Sequence, residues 1–96
     1  LLGLVRTLEV AKDRDDTQDL IKELQSLSRW VMQYQREDGL WGVIVTEPNL
    51  TADTSGCAGI ATALARAARN GWLDADARES AMRTYEGLQP YLTADG

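Results

Sequence analysis

Apolar residues recur every three or four positions over most of this chain, a pattern that predicts helices rather than strands. The clearest stripe lies in the first half, where Asp16 or Thr17 is placed to cap a helix that we expect to end near Arg36. A turn at residues 37–39 follows it. The stripe, which we expect to be buried, consists of Leu20, Leu24, Leu27, Val31 and Tyr34.

Three further helices make the predicted fold all-α. They are expected at Leu1 to Ala11, from a cap at residues 53–55 to Arg69, and from the cap residue Asp74 to about Leu88. A charged turn at residues 12–15 follows the first of them. Leu40 to Leu50 has no helical period and contains the β-branched run 43–45, so we expect a loop with an extended segment there.

The charge balance argues against nucleic acid as a partner, and we expect none. The 96 residues carry 10 Lys and Arg against 15 Asp and Glu, a formal charge of −5, whereas phosphate binding needs a surplus of cations. No apolar run approaches the ~20 residues that span a bilayer, so we expect no membrane partner. Because the single cysteine, Cys57, cannot form an internal disulfide, we expect an intracellular protein, located in the cytoplasm.

Two Asp-Gly pairs bear on the architecture. Asp38-Gly39 and Asp95-Gly96 lie 57 residues apart, a distance that a helix pair and its loops would fill. The chain therefore looks like one repeat of an array of helical hairpins with parts of its neighbours. The alternative is coincidence, since Asp-Gly is a common turn dipeptide. The apolar start at Leu1 to Val5, with no cap, predicts a piece of a longer protein.

Short motifs in the second half are more informative than the periodicity. Residues 34–41 read Y-Q-R-E-D-G-L-W, residues 53–58 read D-T-S-G-C-A, and residues 71–74 read G-W-L-D. In this order and spacing they resemble the unsaturated rhamnogalacturonyl hydrolases of glycoside hydrolase families 105 and 88. The resemblance runs from Leu20 onward. Gly42 departs from it, because many relatives have a histidine after the tryptophan.

The resemblance implies that residues 1–96 are a partial (α/α)6 barrel, a ring of six helical hairpins that would need roughly 340 residues at this spacing. The remainder of the barrel and an oligosaccharide are then the expected partners, with no metal and no organic cofactor. The implied reaction belongs to pectin degradation: hydration of the 4,5 double bond of an unsaturated galacturonyl residue, with an aspartate as general acid and base. No position here matches the aspartate's motif, so we expect this fragment to be inactive alone, with no catalytic residue of its own.

Three residues are candidates for substrate binding. Trp41 follows a turn, where an indole can stack on a sugar with its N–H free to donate, or can instead pack under its own loop. Thr54 and Ser55 begin a helix whose positive end attracts the carboxylate of a uronic acid, although a plain capping role explains them too. We expect Trp30 and Trp72 to be core or helix-contact residues.

Other functions remain open. An unsaturated glucuronyl hydrolase or a sugar 2-epimerase has the same barrel, and a non-catalytic helical-repeat module that binds a protein would show the same hairpin spacing. Cys57 is expected to be a small buried residue rather than a reactive thiol. Metal binding by the acidic residues at 13, 15 and 16 is rejected, because the segment lacks the glycine and the distal glutamate of an EF-hand loop.

Overall fold

A computed structural model describes residues 1–10, 17–42 and 53–91 of the chain. In these residues the chain is helical, as predicted, and the elements are α1 (Leu2–Val10), α2 (Thr17–Met32), α3 (Thr54–Arg69), α4 (Ala75–Leu88) and a final 3₁₀ turn (Gln89–Tyr91). The predicted charged turn at 12–15, the cap residue Asp16, the rejected metal-binding aspartates, the extended segment at 43–45 and the second Asp-Gly pair lie outside the described residues.

The starts of α3 and α4 follow directly from their capping residues. Asp53 and Asp74 both have extended backbones, and each carboxylate accepts a hydrogen bond from an N–H group of the first turn, Gly56 and Asp76 respectively. Gly71 follows Asn70, the C-cap of α3, and has a φ of 80°, a conformation that costs glycine little. The predicted boundaries of both helices are confirmed.

The predicted end of α2 at Arg36 is wrong, because the helix stops at Met32. The N–H groups of Tyr34 and Gln35 donate to carbonyls three residues earlier, at 3.1 and 3.2 Å, which tightens the last turn. The Arg36 N–H then donates to the Leu40 carbonyl at 2.8 Å. The chain leaves the helix four residues early because this segment bonds to the following loop instead.

The buried face of α2 also differs from the apolar stripe that was predicted to be buried. Leu27 is 38% exposed and Trp30 is 43% exposed, whereas Ser28 is fully buried. The neighbours of α2 contact the line through Leu24, Ser28 and Val31, which is rotated relative to the predicted stripe. Trp30 therefore contacts Tyr34, which lies just beyond the end of α2, with ring centroids 5.3 Å apart, rather than the core.

The core divides into two clusters that meet along α3. The first cluster joins α1 and α2 to α3, and its buried members are Val5, Leu8, Leu24, Ala63 and Ala67. Trp72 packs against this cluster, as expected for a helix-contact residue. The other joins α3 to α4, the end of α2 and the loop residues Leu40 and Trp41. Small side chains on α3 let its neighbours approach closely on both sides. This arrangement fixes the loop after α2 against the first turn of α3.

Candidate functional site

The N-terminus of α3 exposes two of the three predicted site residues. Asp53, rather than Thr54 or Ser55, is the capping residue: its Oδ1 accepts from the Gly56 N–H at 3.0 Å. Thr54 and Ser55 are exposed, and within the described part of the chain their hydroxyls have no hydrogen-bond partner. The N–H groups of a first helical turn have no acceptor inside the helix. This end of α3 therefore presents donors and hydroxyls to solvent.

Trp41 lies beside the same helix end, but its side chain is buried. Only 1% of the residue is exposed, and its indole N–H donates to the Val31 carbonyl at 2.8 Å. Its backbone is tied to the start of α3, because the Trp41 N–H donates to Cys57 Sγ at 3.1 Å and its carbonyl accepts from the Asp53 N–H at 3.3 Å. Of the two alternatives predicted for Trp41, the structure shows the packed one: the indole N–H is not free, because it donates inside the core.

The three predicted residues are thus brought to one end of α3, although they are not equally accessible. Thr54 and Ser55 offer polar groups at the surface, and Trp41 supports the turn beneath them. Whether any of the three contacts a substrate stays a prediction.

Charges of both signs surround this helix end. Arg36 and Asp38 form an ion pair at 3.0 Å in the turn that precedes Trp41. Burial raises the pKa of the Cys57 thiol, the hydrogen bond from the Trp41 N–H opposes that rise, and the carboxylate of Asp53 adds to it. A thiol held in its protonated form is a poor nucleophile. Cys57 is therefore the small buried residue expected from the sequence, and it anchors the loop.

A polar network that the sequence analysis missed holds the turn at 37–39 against α4. The Gln35 side-chain nitrogen lies within 3.1 Å of three acceptors: the Gly39 carbonyl, the Ser80 carbonyl and Thr84 Oγ1. Ser80 donates back to Gln35 Oε1 at 2.8 Å, and the Thr84 hydroxyl lies 2.8 Å from the Gly39 carbonyl. Networks of several hydrogen bonds, here partly buried, favour one geometry over others. The glutamine of the Y-Q-R-E-D-G-L-W segment is therefore an anchor for the loop.

Two glycines allow the turn to touch the backbone of α4. A Cβ on Gly39, which has a φ of 85°, would lie 2.1 Å from the Arg83 carbonyl oxygen. A Cβ on Gly87 would lie 2.0 Å from the Asp38 carbonyl oxygen. Both distances are far below van der Waals contact, so neither position accepts a side chain without movement of the turn. The spacing of Ser80 and Thr84 on one face of α4 was the available signal for this buried polar contact.

No group of three metal-ligating side chains occurs in residues 1–10, 17–42 and 53–91. Among the helices described, none is both long enough and apolar enough to cross a membrane.

Comparisons with known proteins bear on the family and the fold of the chain. The profile of Glycosyl Hydrolase Family 88 matches residues 1–96. A crystal structure of a possible member of the GH105 family from Klebsiella pneumoniae subsp. pneumoniae MGH 78578 superposes with a TM-score of 0.89 at 20% sequence identity. The match covers 97% of this chain and 25% of that chain, so the present chain spans a quarter of its length. No curated protein matches the chain.

The superposition confirms the predicted fold class. The four described helices have the arrangement of helical hairpins in an (α/α)6 barrel.

Proposed function

Because this chain belongs to Glycosyl Hydrolase Family 88, we propose that residues 1–96 form part of a catalytic barrel that acts on unsaturated galacturonyl oligosaccharides derived from rhamnogalacturonan and pectin. In the proposed reaction water adds across the 4,5 double bond of the terminal sugar, with a proton to C4 and a hydroxyl to C5. The product rearranges, and the glycosidic bond opens. The aspartate that donates the proton comes from another hairpin, so the 96-residue chain alone is inactive.

The observation that carries this proposal is the exposed N-terminus of α3. Thr54 and Ser55 place two hydroxyls and the N–H donors of the first turn at one surface, where the helix dipole adds partial positive charge. A uronic acid carries a carboxylate that such donors bind. Asp53 turns one carboxylate oxygen toward the Gly56 N–H, so the cap uses one donor of the turn and leaves those of Thr54 and Ser55.

Trp41 has an indirect part in the proposal. Its indole is buried in the core, so it supports substrate binding by holding the loop on the first turn of α3 through Cys57 and Asp53. A sugar cannot stack directly on Trp41 in this structure, because both faces of its indole ring are buried in the core.

The experiment uses a polypeptide that carries the complete domain, with 4,5-unsaturated digalacturonide as substrate and loss of its ultraviolet absorbance as the readout. We expect turnover by that polypeptide and none by the 96-residue chain. Ser55→Ala should raise KM about tenfold, equivalent to about 1.4 kcal/mol of lost binding, with little change in kcat. Ser26→Ala, at an exposed serine of α2, is the matched control and should leave KM unchanged.

Three results would contradict the proposal. Turnover by the 96-residue chain would show that it contains its own acid and base. An unchanged KM in both Ser55→Ala and Thr54→Val would remove the α3 N-terminus from the substrate site. Faster turnover of an unsaturated glucuronyl disaccharide than of the galacturonyl substrate would assign the chain to the glucuronyl alternative.

A further inference from the structure

A cleft of about 410 Å³ lies between α2 and the start of α4. One wall belongs to α2, and the other is formed by the turn after α3 and the first turn of α4. Both walls belong to this chain, so the cleft is complete without any other hairpin of the barrel. Because α3 has 16 residues, the turn after it lies roughly 24 Å along the helix from Thr54, and the cleft is therefore outside the proposed substrate site.

Two glutamines hold the walls of this cleft at a fixed spacing. Gln25 Nε2 donates to the Trp72 carbonyl at 3.1 Å, and further along the chain Gln35 Nε2 donates to the Ser80 carbonyl at 3.0 Å. Between these two bridges, within the described residues, no hydrogen bond or ion pair joins α2 to α4. The space is therefore preformed and is not closed by its own side chains, as is usual for sites that bind small molecules.

The hydroxyl of Ser28, a residue that lines this cleft, is unpaired. Ser28 is fully buried, and in the part of the chain that the structure describes its Oγ is the buried side-chain atom without a hydrogen-bond partner. Buried polar groups in proteins normally have a partner, because an unpaired group has lost its hydration for nothing. A polar molecule bound in the cleft would supply the missing partner.

The charged groups of the cleft are unpaired as well. Arg29 lines one wall, and Asp74 and Asp76 line the other, yet among the described residues no ion pair joins them and Arg29 has no partner. One oxygen of Asp74 accepts from the Asp76 N–H at 3.1 Å, which leaves its second oxygen and both oxygens of Asp76 as acceptors. The cleft thus offers donors and acceptors together, with one cation against two carboxylates.

The rest of the cleft lining is mainly apolar and includes Met32, Trp72, Leu73 and Ala77. An indole beside hydroxyl, carboxylate and guanidinium groups suits a ligand that has one C–H face and a rim of hydroxyls. Each hydroxyl both donates and accepts, so it can pair with Ser28, with Arg29 or with an aspartate. A pyranose ring has this combination of groups. An acidic sugar would meet two carboxylates for one guanidinium, so the charge of the cleft favours a neutral one.

We propose that this cleft is a non-catalytic binding site for one neutral pyranose residue, separate from the site at the N-terminus of α3. The sugar hydroxyls pair with Ser28 Oγ, the Arg29 guanidinium and the Asp76 carboxylate, and the C–H face of the ring lies on Trp72. The volume of the cleft is in the range of about 300 to 1,000 Å³ that small-ligand sites have. The site recognises hydroxyls and not an unsaturated uronyl group, so it does not rest on the reaction proposed above.

The test is a titration of the isotope-labelled 96-residue chain with methyl galactoside, followed by NMR. We expect the backbone signals of Ser28 and Asp76 and the indole N–H signal of Trp72 to shift, with a Kd of about 1 mM for a ligand of this size. Nuclear Overhauser contacts between the ring protons of the sugar and the indole protons then locate the sugar. Galacturonate, which has the same ring with a carboxylate, is the matched probe and should bind more weakly.

Two pairs of variants assign the contacts. Ser28→Ala should raise the Kd about tenfold, whereas Ser26→Ala, at an exposed serine of the same helix, should leave it unchanged. Asp76→Ala should also raise the Kd about tenfold, and its control is Glu86→Ala, at an exposed carboxylate near the other end of α4. Asp76 is exposed and Ser28→Ala keeps the helix-forming Cβ, so both variants fold and a weaker Kd reports the site.

Four outcomes overturn the proposal. No shift with methyl galactoside, methyl glucoside or methyl mannoside, up to the solubility of each, would mean that only water fills the cleft. Tighter binding of galacturonate than of methyl galactoside would make the cleft an anion site. Shifts confined to the signals of Thr54 and Ser55 would place the sugar at the proposed substrate site. Equal Kd values for Ser28→Ala and Ser26→Ala would remove the buried hydroxyl from the site. These readouts are independent of turnover, so the proposed function can fail without the cleft assignment failing.

Discussion

Ser28 should make the folded chain less stable than an alanine at the same position. The residue is fully buried in α2, and within the described residues its Oγ has no hydrogen-bond partner. An unpaired buried hydroxyl costs about 1 to 3 kcal/mol, because its hydration is lost and nothing replaces it. Alanine removes that cost and also favours the helix by up to about 0.5 kcal/mol.

The control for this prediction is Ser26→Ala, two residues earlier on the exposed face of the same helix. It gains only the helix-propensity contribution, so the two variants separate propensity from desolvation. Unfolding of each chain by urea, followed by far-ultraviolet circular dichroism, gives the two free energies of unfolding. We expect Ser28→Ala to exceed Ser26→Ala by about 1 to 3 kcal/mol.

Ser28 borders a cleft of about 410 Å³ between α2 and the start of α4. A water molecule in this cleft could pair with the serine hydroxyl, and the refuting result follows from that case. If a water in that cleft bonds to the Ser28 hydroxyl, the desolvation cost disappears. Equal gains for Ser28→Ala and Ser26→Ala would then be observed, and a loss of stability in Ser28→Ala would show that the hydroxyl contributes to folding. Either result would refute the reasoning.

Three further predictions concern the loop before α3. Gly87→Ala should destabilise the chain by about 1 to 3 kcal/mol in thermal unfolding, because its Cβ would lie 2.0 Å from the Asp38 carbonyl oxygen. The control Gly59→Ala has open space around its Cβ and should be neutral or stabilising. Trp41→Ala should cost about 3 to 5 kcal/mol in urea unfolding, since it empties a buried site and removes the indole hydrogen bond; a loss below about 1 kcal/mol would place the indole at the surface. Burial raises the pKa of the Cys57 thiol, so the folded chain should be alkylated more slowly than the unfolded chain, and its free energy of unfolding should fall as pH rises through the ordinary thiol range. A Cys57→Ala variant that loses stability equally with rising pH would contradict the last prediction.

The sequence by itself determined the helices and most of their boundaries. Asp53 and Asp74 cap the helices that follow them because a short carboxylate reaches the first-turn N–H groups of its own chain segment. Those interactions need no other element, so a local pattern predicts them. The short motifs around Gly39 and Thr54 likewise identified the family, since their order along the chain is a property of the sequence alone.

Only the tertiary structure decided which side chains are accessible at the candidate site. Whether Trp41 faced a sugar or the core depended on the positions of Val31 and Cys57, which lie 10 and 16 residues away in the chain. The role of Gln35 depended on Ser80 and Thr84, which come from a helix more than 40 residues later. Periodicity reports which positions share a face of one helix. It does not report how that face is rotated toward its neighbours, because packing between elements fixes the rotation. Ser28 is therefore buried, although the pattern predicted burial of its neighbour Leu27 instead.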